Sequence, residues 1–174
     1  LMTKWNGTRV RADLNGHLGL AWRDGEPVTG EEEKKLVKKA RSMWMNDSFW
    51  LNAPAKVFDT GTERYLVQQE DGSEALLVTY TTGGDTPGDS YLWQINEEGM
   101  PVSVKMWVQI LPVGGVEFTW QDWQTLESGA KVATMHNGPV TINLEDVKGG
   151  ADLQALGYDT DPFEPLLQKL AEEA

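Results

Sequence analysis

The chain has 174 residues, which fits one domain spanning residues 1–174 with a sizeable buried core. Its formal net charge is −12, from 27 acidic and 15 basic residues, and this disfavours nucleic acid as a partner because the phosphate backbone is also negative. The chain has no cysteine, which excludes disulfides and zinc-thiolate sites, and it has no apolar run of membrane-spanning length.

An alternating pattern opens the chain. Residues 8–14 alternate between charged and apolar side chains, and residues 18–22 do so again. Asn15-Gly16 lies between them and is a strong signal for a two-residue hairpin turn. The pattern predicts a β-hairpin, and we expect this hairpin to find a further pairing partner upstream of Leu1.

A helical pattern follows the hairpin. Thr29 and Glu32 form a capping box, and the acidic residues that follow Thr29 precede a run of lysines, which suits the helix dipole. Apolar residues recur at helical spacing along one stripe: Leu36, Val37, Ala40, Met43 and Trp44. The pattern predicts an amphipathic helix from about residue 30 to about residue 46, ended by Asn46-Asp47.

From about residue 55 to about residue 147 the chain reads as strands broken by short turns. Short connections favour antiparallel pairing of sequential strands. We count about nine or ten strands in the whole chain and expect a strongly curved antiparallel meander, an unclosed β-barrel, with the helix packed on its concave face. Asp161-Pro162 then starts a helical tail of about residues 161–174. The predicted fold class is mainly β (α+β).

The residues that often carry chemistry give little sign of a catalytic or metal site. His17 and His136 each lie at an Asn-Gly turn, show no ligand spacing, and are interpreted as solvated turn residues. Asp85 and Asp89 flank a Gly/Pro loop and are interpreted as part of a polar turn. The chain has no Gly-x-Ser-x-Gly motif. We therefore predict no catalytic residues, no metal and no cofactor.

The eight tryptophans are the more informative feature. Strand alternation predicts that Trp120 faces the core with Val102, whereas Trp107 and Trp123 lie on the opposite face. An apolar concave face could hold a lipophilic ligand, or its side chains could simply be core beneath the helix. The candidate ligand-binding residues are Met43, Trp44, Trp50, Trp93, Met106, Val108, Phe118 and Trp120.

Several motifs between residues 44 and 136 occur in a recognisable order. They are, in chain order, Trp44-x-Asn46-Asp47-Ser48-Phe49-Trp50-Leu51, Leu76-Leu77-Val78-Thr79-Tyr80, Pro87-Gly88-Asp89-Ser90-Tyr91, Lys105-Met106-Trp107-Val108 and Trp120-x-x-Trp123. This order resembles the outer-membrane lipoprotein-sorting (LolA/LolB-like) superfamily, in particular its uncharacterised bacterial lipoprotein branch. The resemblance implies an unclosed β-barrel around a helix, with a hydrophobic cavity that binds acyl chains. It also implies export to the periplasm or outer membrane, with no enzyme activity and no cofactor.

Two departures from that family limit what the resemblance implies. The chain shows no leader and no lipidation cysteine, so the envelope location depends on the resemblance alone and a cytoplasmic location stays open. Arg64 matches only by residue type the arginine that lipoprotein carriers use inside the cavity. Generic lipid binding is therefore the expectation, rather than lipoprotein chaperoning.

Three functions compete at this point. The leading hypothesis is a non-enzymatic binding protein for an acyl chain or another lipophilic small molecule. The second is a structural or protein-interaction module of the envelope in which the tryptophans are core and Trp107 or Trp123 contacts a partner. The third is a small hydrolase or isomerase that uses a carboxylate or histidine of the cavity. The sequence leaves the ligand and the oligomeric state open.

Overall fold

The structure is a computed structural model that describes residues 1–15, 18–82 and 86–172. Gly16 of the predicted hairpin turn, His17, and the loop residues 83–85 lie outside the described residues. Contacts divide the chain into two compact units. We call residues 1–47 with 150–174 the N-terminal unit, and residues 48–149 the meander unit.

The described elements are twelve strands, two α-helices and one 3-10 helix. The strands are β1 Met2–Trp5, β2 Thr8–Ala12, β3 Gly19–Arg23, β4 Glu26–Val28, β5 Thr62–Gln68, β6 Glu74–Tyr80, β7 Ser90–Ile95, β8 Pro101–Trp107, β9 Val116–Thr119, β10 Gln121–Thr125, β11 Lys131–Asn137 and β12 Thr141–Asn143. The helices are α1 Gly30–Asn52, the 3-10 helix Ala53–Lys56 and α2 Glu164–Glu172. The predicted mainly-β class is confirmed.

The N-terminal unit contains a four-stranded antiparallel sheet in the order β1-β2-β3-β4. The predicted hairpin is its centre, with Ala12 paired to Gly19 and Val10 paired to Ala21. Strand β1 pairs with β2 through Val10 and Thr3, so this hairpin finds a pairing partner within the chain, where the sequence pattern placed one upstream. Strands β1 and β4 were not predicted because four and three residues are too few to show a periodic pattern.

Helix α1 is longer than predicted, and its expected end at Asn46-Asp47 is wrong. The helix has 23 residues and runs to Asn52, where the 3-10 helix with Pro54 follows. The residues that extend it include Phe49 and Trp50, and both pack against the buried core of the meander unit. Burial of two large aromatic side chains outweighs the weak helix propensity of Asn46 and Asp47.

The apolar stripe of α1 packs on the first sheet. Leu36, Val37 and Ala40 form one buried cluster with Val10, Ala12 and Ala21. The expectation that the helix covers the concave face of the long meander is therefore wrong for the stripe. Only the last turns of the helix, at Phe49 and Trp50, pack against that core. The physical reason is that Val10 and Ala12 of β2 form an apolar face in the N-terminal unit, and this face must also be covered.

The C-terminal tail is helical from Glu164 to Glu172, so the helix begins about three residues later than predicted, and residues 173–174 lie outside the described residues. Asp161 caps its start, since its carboxylate accepts a hydrogen bond of 2.7 Å from the backbone N–H of Phe163. Leu166 is buried. Nζ of Lys169 lies 3.0 Å from Oε2 of Glu33 and 3.0 Å from the carbonyl oxygen of Gly19, so α2 is bound to α1 and β3 within the N-terminal unit.

Replacing Lys169 with methionine is expected to lower the free energy of unfolding by about 1–2 kcal/mol, because a partly buried carboxylate and a carbonyl lose a charged donor. Urea unfolding followed by circular dichroism measures the change. Lys35→Met is the matched control, since Lys35 is exposed on α1. Equal losses in the two variants would contradict the assignment.

In the meander unit every sequential pair from β5 to β9 is antiparallel, and so are the pairs from β10 to β12. The predicted sequential pairing is confirmed. The strands form a five-stranded sheet and a three-stranded sheet. Only Trp120 separates β9 from β10 along the chain. The unit thus has eight strands, and the described chain has twelve instead of the predicted nine or ten.

Candidate functional site

The meander unit has an aromatic core built from neighbouring strands. Inward positions on β7, β8 and β9 contribute Trp93, Met106 and Phe118, and Trp120 follows directly after β9. These four side chains are between 2 and 5% exposed. The alternation that the sequence shows along these strands therefore positions the tryptophans toward the interior.

The last turns of α1 fill the centre of this core. The ring of Trp50 stacks on Trp120 at a centroid distance of 5.9 Å and meets Phe118 edge-on at 4.8 Å. Phe49 contacts Trp120 edge-on at 5.8 Å and lies 4.8 Å from the ring of Tyr91. Such offset and edge-on contacts add to the stability gained from burial. The centre of the aromatic core is thus occupied by protein side chains.

The structure separates the eight predicted ligand-binding residues into two groups. Six gather in or against the aromatic core: Trp50, Val108, Trp93, Met106, Phe118 and Trp120. Met43 and Trp44 are half-buried on the part of α1 that belongs to the N-terminal unit, and they do not belong to that core cluster.

His136 is fully buried, so its prediction as a solvated turn residue is wrong. Strand β11 continues to Asn137, the first residue of the predicted turn, and His136 pairs with Ile142 of β12. The imidazole centroid lies 4.0 Å from the ring of Trp120, and neither ring nitrogen makes a hydrogen bond of normal geometry with the described residues, although the backbone of Thr119 and of Trp50 lies nearby. Burial lowers the pKa of His136, and backbone groups of Thr119 and Trp50 oppose this shift more weakly.

Trp123 lies on the same side as Trp120, which corrects the prediction that they take opposite faces. Both contact the aromatic core. Regular alternation fails between them because the strand is interrupted at Trp120 and because Asp122 has a positive φ of 52°. A backbone in this left-handed conformation changes the face to which the following side chains point.

A groove opens beside these two tryptophans. It encloses about 340 Å³ and has apolar walls formed by Met100, Val102, Trp120 and Trp123. We call it the tryptophan groove. Its rim is polar and consists of Asn96, Gln124, Thr125 and Lys131. Val102, which was predicted as core, is instead 42% exposed and lines this groove.

The two tryptophans that line the groove also have unused hydrogen-bonding capacity. Nε1 of Trp120 and Nε1 of Trp123 are both buried and have no hydrogen-bond partner among the described residues. An indole nitrogen can only donate, so each requires an acceptor. A buried donor without a partner costs about 1–3 kcal/mol, and such groups are uncommon in native proteins. Sequence reasoning found Trp120 but missed Met100 and Trp123 as groove residues.

Among the described residues, the titratable groups at the aromatic core are the fully buried His136 and the half-buried Tyr80 and Tyr91. Within the same described ranges, no group of three or more His, Asp or Glu side chains is placed to hold a metal ion. None of the helices in the described part of the chain is long and apolar enough to cross a bilayer. Comparison of the chain with protein-family models, with curated proteins and with solved structures found no match. The interpretation of function therefore depends on the geometry of the groove.

Proposed function

We propose that this chain is a non-enzymatic binding protein that holds a lipophilic ligand, such as an acyl chain, in the tryptophan groove. One observation carries the proposal. Four apolar side chains, Met100, Val102, Trp120 and Trp123, line a single open groove, and the indole nitrogens of its two tryptophans have no hydrogen-bond partner among the described residues. An acyl chain would supply apolar contact to these walls.

The chemistry of the groove fits such a ligand. Its volume of about 340 Å³ lies at the lower end of the range of small-molecule sites. Met100 and Val102 provide flexible and branched apolar contact, and sulfur adapts well to irregular ligands. Lys131 on the rim supplies a positive charge for an acidic head group.

The proposal moves the ligand from the position that the sequence indicated. The centre of the aromatic core is filled by Phe49 and Trp50, so the ligand would bind at its edge. The proposal also includes a curved, unclosed barrel in the meander unit. The single-residue break at Trp120 and the 3.1 Å hydrogen bond from Asn137 N to Thr119 Oγ1 support it, because they join the two sheets. An envelope location is a further part of the proposal and depends on the family resemblance alone.

Titration of the delipidated protein with cis-parinaric acid tests the proposal. We expect saturable binding, and we expect Val102→Asp to weaken it by at least about tenfold because a carboxylate is placed on an apolar wall. Val113→Asp is the matched control, since Val113 is exposed in the loop after β8 and is not part of the groove.

Head-group recognition is tested separately. Lys131→Gln should weaken binding of the acid but leave binding of its methyl ester unchanged, because only the acid carries a charge that Lys131 attracts. Absence of saturable binding, or an equal effect of the Val102 and Val113 substitutions, would contradict the proposal.

A second candidate function is favoured by one observation. Trp107 is 42% exposed, and Gly114 lies against its indole ring. An exposed tryptophan held in place by a neighbouring loop is typical of protein contact surfaces. If the groove binds no lipophilic probe, the interaction module becomes the better interpretation, and Trp107 is then the residue to substitute first.

A further inference from the structure

The four-stranded sheet of the N-terminal unit has a second face, opposite the one that packs under α1. The register places Lys4, Arg9 and Trp22 side by side on adjacent strands, and the next row contains Met2, Arg11 and Leu20. These positions alternate with the buried residues of β2. We call the six residues Met2, Lys4, Arg9, Arg11, Leu20 and Trp22 the basic face.

The cations of the basic face have no acidic partners. Among the described residues, no ion pair includes Lys4, Arg9 or Arg11. Both arginines lie over the indole of Trp22, with Cζ 4.8 Å from the ring for Arg9 and 5.3 Å for Arg11. Their Nε atoms are buried and have no hydrogen-bond partner in the described ranges. The hydrogen bonds that these two buried nitrogens can donate are therefore unused among the described residues.

Without a bound anion, repulsion between the neighbouring cations of the basic face lowers the stability of the sheet. Lys4 and Arg9 are directly opposite each other in the β1–β2 register, and like charges at such positions are destabilising. Cation–π contacts with Trp22 fix the two guanidinium groups in place, which reduces the entropy that binding would cost. A bound carboxylate would offset the repulsion between these cations.

A shallow groove of about 460 Å³ lies at the end of this face that adjoins the β1–β2 turn, where Lys4, Arg9 and Trp22 meet Trp5 and the turn residues Asn6-Gly7. Asp24 lies against Gly7 of this turn. The volume suits a few residues of an extended segment, and the walls combine positive charge with aromatic surface.

The charge of the whole chain is distributed very unevenly. Residues 1–47 contain nine basic and seven acidic residues, whereas the remaining 127 residues contain six basic and 20 acidic residues. The basic face is therefore a local positive site on a chain whose residues 48–174 carry a net charge of −14. A short anion experiences mainly the local charge, because salt screens the rest within about 8–10 Å.

We infer that the basic face docks a short acidic peptide segment of a partner protein. The planar guanidinium groups of the two arginines match the geometry of Asp and Glu carboxylates. Trp22 and Leu20 supply apolar contact to the backbone of the segment and to the methylene groups of its side chains. A nucleic acid or an anionic membrane fits less well, because the chain as a whole carries a net charge of −12, which disfavours a large polyanion. The contacts of Trp22 with two guanidinium groups also leave its ring poorly suited to stacking on a base.

Fluorescence anisotropy with a labelled peptide of six glutamates tests the inference, and a peptide of six glutamines is the control ligand. We expect only the glutamate peptide to bind, more weakly at higher salt, and we expect Arg9→Gln/Arg11→Gln to reduce the affinity by at least about tenfold. Lys35→Gln/Lys38→Gln is the matched control, since it removes the same charge from exposed positions of α1. That variant should retain most of the affinity.

A charge-conserving variant and three competing ligands complete the test. Arg9→Lys/Arg11→Lys, checked for folding by circular dichroism, should bind more weakly than the natural protein and more tightly than the glutamine variant. The inference would be overturned if both peptides bound equally well. It would also be overturned if Arg9→Gln/Arg11→Gln and Lys35→Gln/Lys38→Gln reduced the affinity equally. Tighter binding to an oligothymidylate or to phosphatidylglycerol vesicles, or self-association that requires Arg9 and Arg11, would overturn it as well.

Discussion

Replacing Trp120 with alanine is expected to lower the free energy of unfolding by about 3–5 kcal/mol. The side chain is 2% exposed and contacts Phe49, Trp50, Trp93 and His136, so truncation leaves a cavity that four rings border. A loss of this size approaches the whole stability of a typical domain. Urea unfolding followed by circular dichroism measures it, with the expectation that the variant begins to unfold at much lower urea concentrations.

Trp107→Ala is the matched control for this prediction. Trp107 lies on the opposite face of the five-stranded sheet, is 42% exposed, and contacts chiefly the loop around Gly114. We expect a loss of about 1 kcal/mol or less, because an exposed side chain forfeits little buried area. If Trp120→Ala cost no more than Trp107→Ala, Trp120 would not be at the centre of the core.

The strand pattern carried most of the fold information in this chain. Period-two alternation placed the β2–β3 hairpin and the antiparallel order of the meander correctly, because the strands are joined in sequence by short turns. The same alternation correctly placed Trp120 in the interior. Alternation along a strand predicts which side chains are buried where one face of the sheet is shielded from water and the backbone is regular.

The predictions from the sequence were wrong where tertiary contacts or an irregular backbone determine the structure. Asn46-Asp47 was read as a helix end, but burial of Phe49 and Trp50 continues α1 past it. Trp123 was assigned to the wrong face because a positive φ cannot be read from Asp122. The sequence also does not show which sheet each apolar surface covers. The apolar stripe of α1 at Val37 was therefore assigned to the wrong sheet.

The predictions for the candidate site were likewise correct for some residues and wrong for others. Sequence reasoning named Trp120, since it lies on the apolar side of a strand. It missed Met100, which follows a Glu98-Gly99 turn and looks like a loop residue, although it lines the tryptophan groove. It also misread His136, because a histidine beside Asn137-Gly138 resembles a turn residue until the length of β11 is known. The basic face required the register of β1, which was not predicted.

The stability of the protein is expected to fall as the pH falls below about 6.5, and His136 should be responsible for part of the fall. Burial lowers the pKa of His136 in the folded protein, while in the unfolded chain the imidazole titrates near its usual value of 6.5. Below that pH the unfolded chain takes up a proton that the folded protein does not. The stability that the neutral imidazole provides is therefore complete above pH 6.5 and is lost as the pH falls toward the lowered folded-state value.

His136→Phe isolates this effect, because phenylalanine fills a similar volume among Trp50 and Trp120 but cannot take up a proton. The free energy of unfolding of the natural protein, measured by urea unfolding from pH 8 to pH 5, should fall more steeply than that of the variant. The difference in slope should approach but not exceed about 1.4 kcal/mol per pH unit, the limit for one proton. Carboxylates titrate in both proteins and cancel in the comparison. Parallel pH profiles would mean that His136 takes up its proton as easily in the folded protein as in the unfolded chain, and that the aromatic core admits water at the imidazole.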